Sequence, residues 1–196
     1  MCLQAQNIGT LFLNMPDSYI PTLSQLQRFE LLEYSKANRT DSTKNRFGNN
    51  VAIQLLDTTN KCITLNTTAT SRIELKVLNE NTIGVIYSIK SPISISTVKF
   101  YDLNWLPLAL TFEMPQATDW LNEGLIAQNK MDRELLLKLL NNGFISLSFA
   151  QTDSVIEATN NTLAFLSLED QKLIKPYLLE RKLTYQLQAN KWTKIK

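Results

Sequence analysis

The side chains in this chain that could do acid–base chemistry are carboxylates, lysines, tyrosines and two cysteines, because the sequence contains no histidine. Histidine most often serves as the general acid or base near neutral pH, and it is the commonest ligand of transition metals. Its absence removes the usual base of Ser-His-Asp and Cys-His catalysis and the usual ligand of zinc and haem sites. We find no assembled catalytic or metal site, and we expect no cofactor.

Paired carboxylates are the remaining candidates for catalysis. Asp119 and Glu123 are four residues apart and could share one face of a helix, and Asp132 and Glu134 follow. Two carboxyl groups held about 5–9.5 Å apart can act as acid and base in glycoside hydrolysis. A carboxylate-dependent hydrolase acting on a polysaccharide is therefore one hypothesis. The alternative is structural, because acids near helix starts interact favourably with the helix dipole.

Tyr101, Asp102 and Trp105, at the end of a predicted strand, are the candidates for a binding site. Aromatic rings can stack on sugar faces or on a partner peptide, and Asp102 beside them is the best single candidate for a functional acid. Trp120, Trp192 and Tyr185 could stack in the same way. Large aromatic residues on strands also form cores, so both interpretations stay open.

The composition is that of a globular protein. Among 196 residues, 44% are hydrophobic and 19% are charged, which allows a substantial core in one large or two small domains. The net charge of +2 comes from scattered basic residues, which argues against nucleic-acid binding. No apolar run approaches the ~18 residues that a membrane span needs. Cys62 lies in an apolar strand pattern and is interpreted as a small buried hydrophobe.

The hydrophobic pattern predicts an α+β fold with mainly antiparallel sheets and helices packed on one side. A turn and helix over residues 15–38 begins at the capping box of Ser24 and Gln27. Period-two patterns then predict strands over 51–56, 62–67, 72–78, 82–89 and 96–105. After a link bracketed by Pro107 and Pro115, further elements are predicted: a short helical turn at 118–121, a helix over 132–142, strands over 144–149, 155–159 and 163–166, a helix over 167–178, and a hairpin over 183–195.

Short links favour antiparallel neighbours, and the order of helix then strands occurs twice. We therefore expect a first half at 19–112 and a second half at 113–196, with some similarity between them. Residues 1–18 are interpreted as a signal-peptide remnant and N-terminal segment. Leu3-x-Ala5 before Gln6 is typical of the end of a secretory signal peptide.

Five segments carry a resemblance to a known family: residues 15–18 (Met-Pro-Asp-Ser), 28–32, 97–105, 174–178 and 183–185. In this order they resemble a family of uncharacterised secreted proteins, a domain of unknown function, from anaerobic Gram-negative gut and oral bacteria. The resemblance spans nearly the whole chain. It implies a signal peptide and a location in the cell envelope, and it brings no catalytic residues.

Three segments that begin with Asp look like acceptors for O-glycosylation in exported proteins of such bacteria. The modified residues would be Ser42, Thr58 and Ser154, all in predicted loops or turns. Asx and Ser/Thr turns use the same residue types at the same places, which is the alternative interpretation.

The leading hypothesis is thus a non-enzymatic periplasmic or secreted module that binds an envelope protein, peptide or glycan. A cytoplasmic location is the alternative, and the hydrolase is the rival function.

Overall fold

The structure is a computed structural model, and it describes residues 7–37, 39, 41–90, 92–141, 143–179 and 182–195. Within these residues the α-helices are α1 (Ile8–Leu13), α2 (Gln25–Lys36), α3 (Glu123–Gln128), α4 (Arg133–Leu140) and α5 (Leu168–Ile174). Short 3₁₀ helices occupy Ala117–Trp120, Thr162–Phe165 and Lys175–Tyr177. The strands are β1 (Thr43–Lys44), β2 (Asn50–Asp57), β3 (Cys62–Asn66), β4 (Ser71–Asn79), β5 (Thr82–Lys90), β6 (Ser94–Tyr101), β7 (Ile145–Phe149), β8 (Val155–Asn160), β9 (Leu183–Gln188) and β10 (Lys191–Lys194).

The strands form two antiparallel sheets. The first sheet has the order β1-β2-β3-β4-β5-β6, and the second has the order β10-β9-β8-β7. In the first sheet each strand pairs with its neighbour in sequence because the links are too short for crossover connections. In the second sheet short turns join β7 to β8 and β9 to β10, whereas β8 and β9 are antiparallel neighbours joined by a longer link that contains α5. The predicted α+β class with antiparallel sheets is confirmed.

The first sheet is the middle layer of the molecule. Leu65 and Val85 belong to the cluster that packs this sheet against α1 and α2. Ile86 and Phe100 belong to a second cluster, which packs the opposite face against the second sheet. Helices α3, α4 and α5 enclose a third cluster around Leu136. Since both faces of the first sheet are covered, its central strands are buried on both sides.

The N-terminal segment contributes to the core of the first sheet. Within the predicted N-terminal segment 1–18, α1 buries Ile8, Leu11 and Phe12. Its six residues give too little hydrophobic periodicity for the sequence to have predicted it. Residues 1–6, and with them the Leu3-x-Ala5 pattern, lie outside the described residues.

Two predicted strand segments were wrong. Strand β6 ends at Tyr101, four residues before the predicted end at Trp105. The chain turns there because the Asp102 carboxylate accepts hydrogen bonds from the backbone N–H of Asn104 and of Leu106, both at 2.8 Å. The turn places Trp105 at a φ of +66°. The predicted strand over 163–166 is a 3₁₀ helix instead. The side chain of Asn160 holds its start by accepting from the N–H of Thr162 at 2.9 Å.

Polar side chains of the first sheet close one edge of the second sheet. The edge strand β7 donates from the N–H of Leu147 to Ser96 Oγ at 3.0 Å. It also donates from the N–H of Phe149 to Glu74 Oε2 at 3.1 Å. These bonds satisfy groups that a free strand edge would leave open. The opposite edge of this sheet, at β10, has no such cover among the described residues.

Among the described residues, no helix has both the length and the apolar character needed to cross a membrane.

Candidate binding groove

A groove on the surface is made of two adjoining cavities of about 720 Å³ and 670 Å³. The two cavities adjoin, because Ala109, Leu110 and Asn190 line both of them. One wall is segment 108–116, and the other is formed by the β4–β5 turn and the β9–β10 hairpin. Ligand sites in proteins typically enclose about 300–1,000 Å³, and each cavity lies in that range.

Segment 109–113 belongs to neither sheet. Its backbone N–H and C=O groups make no hydrogen bond with any residue that the structure describes. Backbone polar groups are nearly always paired in proteins, with protein or with water. Five consecutive unpaired residues along a groove therefore offer a row of donors and acceptors to a ligand.

The side chains of this segment alternate as they do in a strand. Leu110, Phe112 and Met114 are half-buried and pack against the cluster between the sheets, while Thr111 and Glu113 are exposed. The ring of Phe112 meets Tyr185 edge-on at a centroid distance of 5.1 Å and Trp192 at 5.7 Å. These contacts hold the segment in place through its side chains alone, which leaves its backbone free.

The opposite wall contains the open edge of β10. The hairpin turns at Ala189 and Asn190, with φ of +45° and +62°, the conformation of a two-residue type I′ turn. The N–H of Ile195 donates to the carbonyl of Thr184 at 2.9 Å. Since hydrogen-bonded residues alternate along an antiparallel strand, the backbone groups of Trp192 and Lys194 point to the open edge.

The groove carries charges of both signs. Lys194 Nζ donates to Asp119 Oδ1 at 2.7 Å. Partial burial alone would raise the pKa of Asp119, but the bonds from Lys194 and from the N–H of Gln116 lower it overall. Glu80, Glu113 and Lys191 are exposed and form no ion pair within the described residues. Two carboxylates and one ammonium group are thus open to a ligand.

Two groove residues are buried aromatics, Tyr185 and Trp192. Burial, followed by the nearby Asp119 charge, raises the pKa of Tyr185 to about 12, so its hydroxyl stays protonated at neutral pH. The indole N–H of Trp192 has no hydrogen-bond partner among the described residues. Both rings pack into the cluster between the sheets.

Tyr101, Asp102 and Trp105, the residues predicted for binding, lie elsewhere. Tyr101 is 2% exposed and Trp105 is 5% exposed. Trp105 Nε1 donates to the carbonyl of Leu11 at 3.1 Å, and the ring of Tyr101 packs 4.5 Å from that of Tyr19. Tyr101 and Trp105 therefore belong to the core, and Asp102 stabilises a turn through its side-chain hydrogen bonds. None of the three lines the groove.

The predicted carboxylate pair does not share a helix face. Asp119 lies in the 3₁₀ helix Ala117–Trp120, whereas Glu123 begins α3 and pairs with Arg133 at 3.0 Å. Asp132 is the N-cap of α4 and accepts from the N–H of Glu134 at 3.0 Å. These carboxylates therefore have structural partners in the described chain.

Glu74 is the buried acid that sequence reasoning missed. It is 7% exposed and lines a separate cavity of about 240 Å³ together with Cys62. Burial raises the pKa of Glu74, although Arg72 and the N–H of Phe149 oppose the shift. Cys62 is buried as predicted, and burial raises the pKa of its thiol.

The three predicted glycosylation residues differ in access. Ser42 and Thr58 are exposed, Ser42 in a loop and Thr58 in the β2–β3 turn. Ser154 is half-buried, and its hydroxyl donates to the carbonyl of Leu78. A transferase can therefore reach the first two hydroxyls more readily than the third.

Comparison with known proteins identifies the family. A family model described as "Protein of unknown function (DUF3256)" matches residues 1–192, and the chain belongs to this family. No curated protein matches the sequence. The predicted membership of a family of unknown function is thus confirmed, and secretion stays a prediction.

The fold is also similar to that of a solved structure, a domain of an uncharacterized protein from Porphyromonas gingivalis W83. The TM-score is 0.79 at 19% sequence identity, over 97% of this chain and 98% of that chain. At this identity the likeness concerns the fold.

Proposed function

We propose that this member of the DUF3256 family is a non-enzymatic binding protein whose ligand, a protein, peptide or glycan, occupies the groove. The observation that carries the proposal is the unpaired backbone of segment 109–113, which lines the same cavity as the open edge of β10. Unpaired backbone groups on both walls give a ligand hydrogen bonds without any rearrangement of the fold.

The electrostatics favour binding over carboxylate-dependent hydrolysis. A glycosidase needs one carboxyl group that stays protonated close to a second that is ionised. In the groove, the lowered pKa keeps Asp119 ionised at neutral pH. The acid with a raised pKa, Glu74, lies in a different cavity and is held by Arg72 and Phe149.

The experiment is capture of envelope proteins and glycans from the native host with the wild-type protein and two variants. Ala109 lines both cavities and is exposed, so Ala109→Arg fills the groove without disturbing the core. Thr193→Arg is the matched control, because Thr193 is exposed on β10 and does not line the groove.

A ligand captured by wild type and Thr193→Arg, and lost with Ala109→Arg, supports the proposal. A ligand captured equally by all three proteins contradicts it. Release of reducing ends from a bacterial polysaccharide by the wild-type protein would favour the hydrolase instead.

We also propose that the protein is exported and acts in the periplasm or outside the cell. The Leu3-x-Ala5 pattern and the Asp-Ser/Thr segments support this. N-terminal sequencing of the protein from the native host should find a chain cleaved near Ala5 and Gln6. A chain that retains Met1 and fractionates with cytoplasm would contradict export.

Glycosylation has its own test on the exported protein. Intact-mass and peptide mass spectrometry should find added sugar on Ser42 or Thr58 and none on Ser154, whose hydroxyl is engaged with Leu78. An unmodified mass at both exposed residues would contradict the glycosylation proposal and leave export untouched.

A further inference from the structure

We infer that the ligand of the groove is an extended segment of another polypeptide, which adds to the open edge of β10 as a further strand. This inference rests on the proposed function and specifies its ligand class. It follows from the direction of the backbone groups on β10, from the burial of the groove aromatics and from the charges along the walls.

The open edge has the hydrogen-bonding pattern of a strand that lacks a neighbour. The N–H and C=O groups of Trp192 and Lys194 point away from β9, since the groups of Thr193 and Ile195 face it. Residues two apart on a strand lie about 6.6–6.8 Å apart. The donors and acceptors on one edge of another extended chain have the same spacing. An added strand therefore pairs with this edge in register.

The other wall extends the same recognition. The backbone of 109–113 makes no hydrogen bond with the described residues, so a polypeptide lying in the groove finds main-chain donors and acceptors on both walls. Strand addition draws its affinity from such main-chain bonds and its specificity from pockets for alternate side chains.

A glycan fits these walls less well than a polypeptide. Sugars bind by stacking on exposed aromatic faces, but Trp192 is 9% exposed and Tyr185 is 8% exposed. The ring of Trp192 is covered by Phe100 at 5.6 Å and by Phe112 at 5.7 Å. The aromatic residues of the groove therefore support its floor and present no open ring to a sugar.

The charges favour a cationic segment. Glu80 and Glu113 are exposed on the groove walls without ion-pair partners in the described chain, against a single unpaired ammonium group on Lys191. Complementary charge guides encounter and selects among partners. We therefore expect Lys or Arg in the bound segment.

The test uses a phage-displayed library of random seven-residue peptides, selected on the full-length protein, and the enriched peptide is then synthesised with a fluorescent label. Its affinity is measured for wild type, Lys194→Ala and Lys194→Pro. Both variants remove the ion pair with Asp119, but only proline removes the N–H that points to the open edge. Proline is tolerated on edge strands where the N–H faces outward, and thermal unfolding checks that the variant folds.

We expect Lys194→Pro to bind the peptide about three- to tenfold more weakly than Lys194→Ala, the loss of one hydrogen bond. N-methylation along the peptide should weaken binding to wild type at every second residue, and this arm decides the question if the proline variant does not fold. The enriched sequences should carry Lys or Arg.

Equal affinities for the proline and alanine variants, together with no period-two effect of N-methylation, would overturn strand addition. A peptide that binds in this way but is insensitive to Ala109→Arg would overturn the groove as the site and with it the proposed function. If no peptide is enriched while Ala109→Arg still abolishes capture of a glycan, only the polypeptide inference fails. A dimer in sedimentation that dissociates in Lys194→Pro would identify a second copy as the occupant and overturn the inference.

Discussion

Replacement of Arg28 by Met should strongly destabilise the protein, because this guanidinium ties the N-terminal segment to α2. Arg28 is 2% exposed. It donates to the carbonyls of Met15 at 2.7 Å, Leu23 at 2.8 Å and Leu13 at 3.2 Å, and to the carboxylate of Asp17 at 3.0 Å. Met is long and apolar, so it occupies similar space but leaves these acceptors without their donor.

The size of the loss in unfolding free energy follows from the number of carbonyl acceptors that lose their hydrogen-bond donor. The bonds to Met15 and Leu23 are fully buried, and each unsatisfied buried acceptor costs about 1–3 kcal/mol. Burial of the apolar Met side chain returns about 1.5–3 kcal/mol, and the Asp17 carboxylate is partly exposed and stays solvated without its partner. We expect a net loss of about 2 kcal/mol in the free energy of unfolding, or a fall in Tm of about 4–8 °C for a chain of this size.

The assay is urea unfolding followed by tryptophan fluorescence, with the m-value compared between variants. Asp17→Asn is the control and should cost clearly less, because the Asp17 side chain is 46% exposed. The bond from Arg28 is the main cause that lowers the pKa of Asp17. The stability that ionised Asp17 contributes is therefore fully present at pH values above its ordinary pKa of 3.8. It is lost as the pH falls through the lowered pKa of the folded protein. A loss below about 1 kcal/mol in Arg28→Met would refute this role of Arg28.

Three further predictions concern the contact between the sheets. Gly84→Ala should lower the free energy of unfolding by about 1–3 kcal/mol, because a Cβ there would lie 2.6 Å from Phe149 Cζ. Adding Phe149→Leu to this variant should recover part of the loss, as measured by urea unfolding. Gly124→Ala is the control and should be tolerated, because the nearest atom to its Cβ would lie at 3.4 Å. Cys62 should stay unlabelled by a thiol reagent in the folded protein and react once unfolded, as read by peptide mass spectrometry; labelling at equal rates would contradict its burial. Burial raises the pKa of Glu74, so its contribution to stability should decline as the pH rises from the ordinary value of 4.5 through the raised pKa. Glu74→Gln should flatten the dependence of unfolding free energy on pH in this window, and an unchanged profile would contradict the assignment.

Elements specified by neighbouring residues were predictable from the sequence. The capping box of α2 is present with both of its bonds, Gln27 N–H to Ser24 Oγ at 3.3 Å and Ser24 N–H to Gln27 Oε1 at 2.8 Å. It was predictable because its partners are three residues apart. The meander of the first sheet followed from period-two patterns and short turns in the same way.

Features that depend on distant contacts were not predictable. Trp105 continues an apolar alternation, yet its indole N–H is satisfied by Leu11, 94 residues away, and the chain turns at Asp102 to allow it. The alternation of Leu110, Phe112 and Met114 resembles a strand, but only the tertiary structure shows that the segment has no pairing neighbour.

The groove itself joins segment 108–116 to residues 185–194, which are about 70 positions away in the chain. No motif spans that separation, so the sequence pointed to Tyr101, Asp102 and Trp105 instead. The stacking of the two sheets, which decides which aromatic residues are buried, is the missing information.

The most direct test of the central claim is amide hydrogen exchange with and without the selected peptide. The amides of Trp192 and Lys194 point to the open edge and should exchange fast in the free protein, then become protected at saturating peptide. The amide of Thr193 already faces β9 and should change little. Protection confined to other parts of the molecule, with Trp192 and Lys194 unchanged, would contradict binding at this edge.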